Sequence, residues 1–106
     1  MSKKIAFMGT PTISGQILKS LYQNGFDIEV VYTQPPVSSN RGHGLNKSPV
    51  HIMAEILNIP VRTPIVLDNT EEKNFLHKQN ISLGIVVAYG QILKKDILEI
   101  PKYGWI

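Results

Sequence analysis

A chain of 106 residues, 42% hydrophobic and 18% charged, suits one globular domain and excludes a disordered segment. It has no cysteine, which excludes a disulfide scaffold, a thiolate zinc site and a cysteine nucleophile. The 11 Lys and Arg against 8 Asp and Glu give a net charge of +3, which permits an anionic partner without demanding one. No stretch approaches the ~20 apolar residues of a membrane helix, and the N-terminal apolar patch is too short for a signal sequence. A soluble cytoplasmic protein, with no membrane partner and no metal, is the expectation.

Lys4–Met8 is an apolar run ending at Gly9, the pattern of a buried strand and a tight turn. Thr10-Pro11 predicts a helix start, with Thr10 as cap and proline at the first helical position. Ile13, Ile17, Leu18, Leu21 and Tyr22 recur at helical spacing, and Gly25 suits a left-handed stop. Asp27–Thr33 reads as a second strand, ended by Gln34-Pro35-Pro36. Pro35–Lys47 is a long polar loop, of the length that compact domains keep for function.

Ser48-Pro49 repeats the helix-start device, with Val50, Met53, Ala54 and Leu57 on one face and a stop at Asn58. Pro60–Pro64 is a short extended piece. Asp68 or Asn69 can cap a helix through Gln79, with Glu71 and Glu72 in its first turn. Leu83–Ala88 is a continuous apolar run and predicts a central parallel strand covered on both faces. Tyr89-Gly90 turns, Lys94–Ile100 forms a short helix ended by Pro101, and Gly104-Trp105-Ile106 begins another strand. Strands alternating with helices predict an α/β fold with a doubly wound, mainly parallel sheet. Because the chain stops inside an apolar run, the expectation is a fragment of a longer protein with an incomplete sheet.

Open α/β sheets bind ligands at the carboxyl ends of their strands, here Gly9-Thr10-Pro11, Thr33-Gln34 and Ala88-Tyr89-Gly90. A dinucleotide is disfavoured. The first turn lacks G-x-G-x-x-G, and strand two ends without the acid that would hold a ribose. Between Val30 and Ala54 there is no acid, while Arg41, His43, Lys47 and His51 lie there. Such a basic loop suits phosphates, and Gly42 and Gly44 let backbone approach closely. A solvated loop with incidental charge is the plainer alternative. His51 and His77 read as surface or packing residues, and Trp105 as packing. Tyr89 can stack on a planar ligand or close the core. No nucleophile–base pair stands out.

Four segments together resemble the methionyl-tRNA formyltransferase family: Phe7–Pro11 (FMGTP), Tyr32–Pro36 (YTQPP), Asn40–Val50 (NRGHGLNKSPV) and Val86–Leu93 (VVAYGQIL). The resemblance runs through the chain in order and spacing. It implies a Rossmann-like formyltransferase fold, of which residues 1–106 would be the N-terminal portion, the rest of that domain and a C-terminal tRNA-binding domain lying beyond. It implies formyl transfer from 10-formyltetrahydrofolate to the α-amine of initiator methionyl-tRNA, by a monomer. It also implies that the family's catalytic asparagine, histidine and aspartate follow Ile106. No catalytic residue is then expected in this chain, nor turnover by it alone. Tyr89, Gly90, Gln91, Ile92 and Leu93 would line the folate pocket, the last three through backbone groups. Thr10, Pro11, Arg41, Gly42, His43 and Lys47 would serve the tRNA and aminoacyl side, Arg41 matching the family's loop arginine. Pro36 stands where the family often has an acid, His43-Gly44 where it often has Lys or Arg, and Ile13 where an aromatic is commoner. One rival is another folate-dependent formyltransferase, acting on a sugar-nucleotide or ribonucleotide amine. Another is a non-catalytic α/β binding module.

Overall fold

A computed structural model describes residues 3–38 and 44–106. Its elements are β1 (Lys4–Gly9), α1 (Thr12–Gln23), β2 (Asp27–Tyr32), β3 (Val37–Ser38), β4 (Leu45–Asn46), α2 (Pro49–Ile56), β5 (Val61–Arg62), α3 (Thr70–Lys78), β6 (Leu83–Val87) and α4 (Lys95–Leu98). The main sheet has the order β5-β2-β1-β6, all parallel. The chain steps outward from β1 to β5, then returns to the other side of β1. That reversal puts the switch point between β1 and β6.

Both faces of the sheet are covered, as expected for a doubly wound arrangement. Ile5, Phe7, Ile28 and Val31 pack with Leu18 of α1 and with Val50 and Ala54 of α2. Ala6, Met8, Val30 and Tyr32 pack on the opposite face with Leu76 of α3 and Ile97 of α4. Strand alternation alone would put Ile28 and Val30 on the same face. The register with β1 jumps between Ile5↔Ile28 and Ala6↔Val30, so Glu29 is the extra residue of a bulge. The bulge lets a half-exposed carboxylate sit inside an apolar strand, 3.9 Å from Lys4.

Two expectations change. β6 is not covered on both faces as expected: it is only half-buried along most of its length. On its free side it pairs with Gly104–Ile106 through a bridge from Gly84 to Trp105, so the last residues do begin strand-like pairing. Gly84 is required there, because a Cβ would stand 2.2 Å from the indole. The second change is at α1. Its cap position is Pro11, with no side-chain cap bond, because the Thr10 hydroxyl is used elsewhere. By contrast Ser48 caps α2 by accepting from the His51 N–H, and Asn69, not Asp68, caps α3 by accepting from the Glu72 N–H.

One charged group enters the core with its partners. Glu72 Oε1 accepts from the Tyr32 hydroxyl at 2.7 Å and from Arg62 Nε at 2.7 Å, and Arg62 Nη2 reaches Oε2 at 3.2 Å. The Arg62 guanidinium also lies 4.0 Å from the Phe75 ring centre. Burial pushes the Glu72 carboxyl up, but hydrogen bonds from Arg62 and Tyr32 outweigh it and hold it below its ordinary value. Burial and the Glu72 hydrogen bond drive the Tyr32 phenol far up, so it stays a neutral donor. Because folding lowers the Glu72 pKa, its contribution is present above about pH 4.3 and fades as pH falls through the folded value. Glu72→Gln should cost about 2–3 kcal/mol at pH 7 by urea denaturation, and progressively less as pH falls, because the native protein then loses the charge the variant already lacks.

Candidate functional site

The carboxyl ends of β1, β2 and β6 are tied together by side chains. Thr10 Oγ1 donates to the Tyr89 carbonyl at 2.6 Å and accepts from the Gln34 N–H at 3.4 Å. Ser14, in the first turn of α1, donates to the Val87 carbonyl. Gln34 Nε2 donates to the Gly90 carbonyl at 3.1 Å. Deeper, Thr33 and Ser48 hydroxyls share a 2.6 Å hydrogen bond, which joins the end of β2 to the start of α2.

A cleft of about 240 Å³ opens beside these ties, lined among others by Thr10, Gln34, Val37, Asn46, Lys47 and Ser48. Its outer wall is the β3–β4 ribbon, where Val37 pairs with Asn46 and Ser38 with Leu45. The Pro35–Lys47 segment, expected as a plain loop, therefore contains a short antiparallel pair. The structure brings Thr10 and Lys47 together on this cleft. Lys47 Nζ also holds Glu55 Oε2 at 2.8 Å, and that bond keeps the Glu55 carboxyl below its ordinary value. Pro11 is exposed at the start of α1 and does not line the cleft. Arg41, Gly42 and His43 lie outside the described residues.

The second expected cluster follows β6. Ala88 and Gly90 both take left-handed backbone, with φ of 51° and 104°. This double reversal sends the chain across the sheet end and turns the Tyr89 side chain inward. Tyr89 is 2% exposed and packs in the core, so it closes the core instead of offering a stacking face. Burial pushes its phenol well up, helped by the Glu72 charge. Leu93 packs half-buried against the same core, while Ile92 is 84% exposed. Gln91 turns its amide inward to Leu67, Pro64 and Gln34. Among the described residues, no backbone N–H or C=O of Gln91, Ile92 or Leu93 has a hydrogen-bond partner. They form a short edge of open donors and acceptors beside an exposed apolar side chain.

The sequence marks Gln34 only as part of the Thr33-Gln34 strand end and of the Tyr32–Pro36 segment, with no role of its own. His51 sits over α2 with Nε2 3.8 Å from Glu55 Oε2, and Trp105 packs while donating to the Ile97 carbonyl at 3.2 Å. Among the described residues no group of three His, Asp or Glu could hold a metal, and no helix is long and apolar enough to cross a membrane.

Comparison with known proteins places this geometry. No family model matches the chain. It is 52% identical to methionyl-tRNA formyltransferase of Pelagibacter ubique over 107 residues, covering 100% of the chain and 34% of that protein. It is 46% identical to the Caulobacter vibrioides enzyme of the same name, covering 95% of the chain and 33% of that protein. The chain belongs to the methionyl-tRNA formyltransferase family. It spans about a third of the length of these relatives, at their N-terminal end. Among solved structures, phosphoribosylglycinamide formyltransferase of Bacillus halodurans superposes with a TM-score of 0.70 at 13% identity, over 97% of the chain and 54% of that protein. The Streptococcus pneumoniae enzyme of the same name gives 0.68 at 14%, over 99% and 54%. At such identities the likeness is one of fold, and it matches the Rossmann-like formyltransferase architecture.

The Gly90 bend is the constraint that shapes the open edge. A Cβ there would meet Gln34 Nε2 at 2.6 Å, and φ would remain in the left-handed region. Gly90→Ala should lose about 1–3 kcal/mol in thermal or urea melts. Adding Gln34→Ala should recover little of it, since the backbone strain stays.

Proposed function

We propose that this chain supplies the donor-binding edge and the root of the tRNA-side loop of an enzyme that formylates initiator methionyl-tRNA. The formyl donor is 10-formyltetrahydrofolate, used as a substrate. The reading is supported by the 52% identity to a methionyl-tRNA formyltransferase along the chain. The structural observation that carries it is the open backbone edge at Gln91–Leu93. A pterin ring presents a row of donors and acceptors along one side, and an unpaired stretch of backbone can match such a row without any charged group. The residues present therefore fit the donor. Gln91, Ile92 and Leu93 would meet its ring through main-chain groups, with the Ile92 side chain against its apolar face. Gly90 shapes the bend, and Tyr89 fixes the segment to the core.

The acceptor side is the cleft at Thr10 and Lys47 together with the loop that contains Arg41, Gly42 and His43. Arg41 and Lys47 supply the positive charge for phosphates, and Gly42 and His43 complete the loop contact. Thr10 and Pro11 border the route from that loop to the donor edge, as Thr10 Oγ1 binds the Tyr89 carbonyl directly. The catalytic asparagine, histidine and aspartate of the family belong, on this reading, to the part of the relatives that the chain does not span. The enzyme works as a cytoplasmic monomer.

Formyl transfer from 10-formyltetrahydrofolate by the full-length protein, to methionyl-tRNA and to a phosphoribosyl amine in parallel, tests the reading. Transfer to the tRNA alone is expected, and preference for the small amine would overturn it. Arg41→Ala should raise KM for methionyl-tRNA about tenfold and leave KM for the folate unchanged. Ile92→Asp should do the reverse by a similar factor, with Tm unchanged because the side chain is 84% exposed.

A further inference from the structure

Gln91 is half-buried, yet its side-chain amide is fully engaged. Oε1 accepts from the Leu67 N–H at 2.7 Å. Nε2 stands 3.1 Å from the Pro64 carbonyl, 3.2 Å from Gln34 Oε1 and 3.4 Å from the Tyr89 hydroxyl. The Leu67 N–H needs an acceptor and the Pro64 carbonyl needs a donor, so only one orientation of the amide satisfies both. Gln34 is then fixed in turn. Its Oε1 faces Gln91, which leaves its Nε2 for the Gly90 carbonyl at 3.1 Å. The Gly90 carbonyl belongs to the peptide that carries the Gln91 N–H. A closed ring results, running from the Gln91 side chain through the Gln34 side chain to the Gly90–Gln91 peptide.

A trans peptide directs its C=O and N–H in opposite senses, and the structure has no cis bond among the described residues. Holding the Gly90 carbonyl against Gln34 therefore aims the Gln91 N–H away from Gln34. That N–H is the first donor of the open edge. We propose that Gln34 and Gln91 are positioning residues for the formyl donor: their paired amides set the plane of the Gly90–Gln91 peptide and so the direction of the donor-binding edge. This rests on the folate reading above and adds the device that orients the site. Neither side chain needs to touch the donor.

The test uses the full-length protein, with steady-state kinetics and calorimetric binding of tetrahydrofolate. Gln91→Leu should raise KM and Kd for the folate about tenfold, with kcat within about twofold and KM for methionyl-tRNA unchanged. Gln91→Glu keeps the side-chain size and can still accept from Leu67, but it cannot donate to Gln34. It should show the same folate defect, as should Gln34→Ala, and Gln34→Ala with Gln91→Glu should be no worse than either alone. A purely structural loss would lower the active fraction, and hence kcat, without moving KM. Unchanged folate KM and Kd in Gln91→Glu and Gln34→Ala would overturn the positioning role and leave the folate reading standing. A wild-type protein that does not bind reduced folate would overturn both.

Discussion

The parallel ladder of β1 is the constraint on which the rest depends. It is paired with β2 on one side and β6 on the other, and all three strands end at the same level. Each parallel strand end leaves carbonyls and N–H groups without ladder partners, and these must be met by something. Here they are met by Thr10, Ser14 and Gln34, polar side chains from neighbouring strand ends and the first turn of α1. These ties close the base of the site, while among the described residues the backbone of 91–93 stays open. The contrast between satisfied and open main chain, more than any charged group, distinguishes the site.

The charged chemistry of the chain is kept apart from this place. Glu72, Arg62 and Tyr32 form a hydrogen-bonded group under α3, and Phe75 covers the guanidinium. The Tyr32 hydroxyl, both Glu72 oxygens and Arg62 Nε and Nη2 are bonded within it, so its perturbed ionisation is a matter of stability. A perturbed carboxylate is often a mark of catalysis. In this fold the burial, the partners and the position identify it as a core ion pair.

Much of the architecture was legible in the residues. The apolar runs at Lys4–Met8 and Leu83–Ala88, the Ser48-Pro49 helix start and the alternating element order led directly to the parallel sheet. β6 is paired on both sides, by β1 and by Gly104–Ile106, but its faces are less covered than a continuous apolar run implies, because such a run does not say how much helix packs on it. The β3–β4 pair was hidden because two-residue strands with exposed Val37 and Leu45 carry no periodicity. Thr10 was misread as a cap because a local rule competes with a partner, Tyr89, that only the folded sheet brings near. Gln34 and Gln91 were silent for the same reason. A glutamine gives no sign in sequence of which distant amide will face it, and the segment likeness marked Gln91 for its backbone alone.

The bulge at Glu29 has an evolutionary consequence. It breaks the even–odd parity of β2, so residues on either side of it obey opposite inside–outside rules with respect to the two helical layers. Loss of that single codon would remove the bulge and leave Ile28 and Val30 on opposite layers, as they are now, whereas drawing Glu29 into the regular ladder would present Ile28 and Val30 to the same layer and misplace half the strand. A one-residue loss should therefore be tolerated at Glu29 and at no other place in the strand, which makes the rest of β2 a fixed ruler between the N-terminal helix and the ligand-facing end of the sheet.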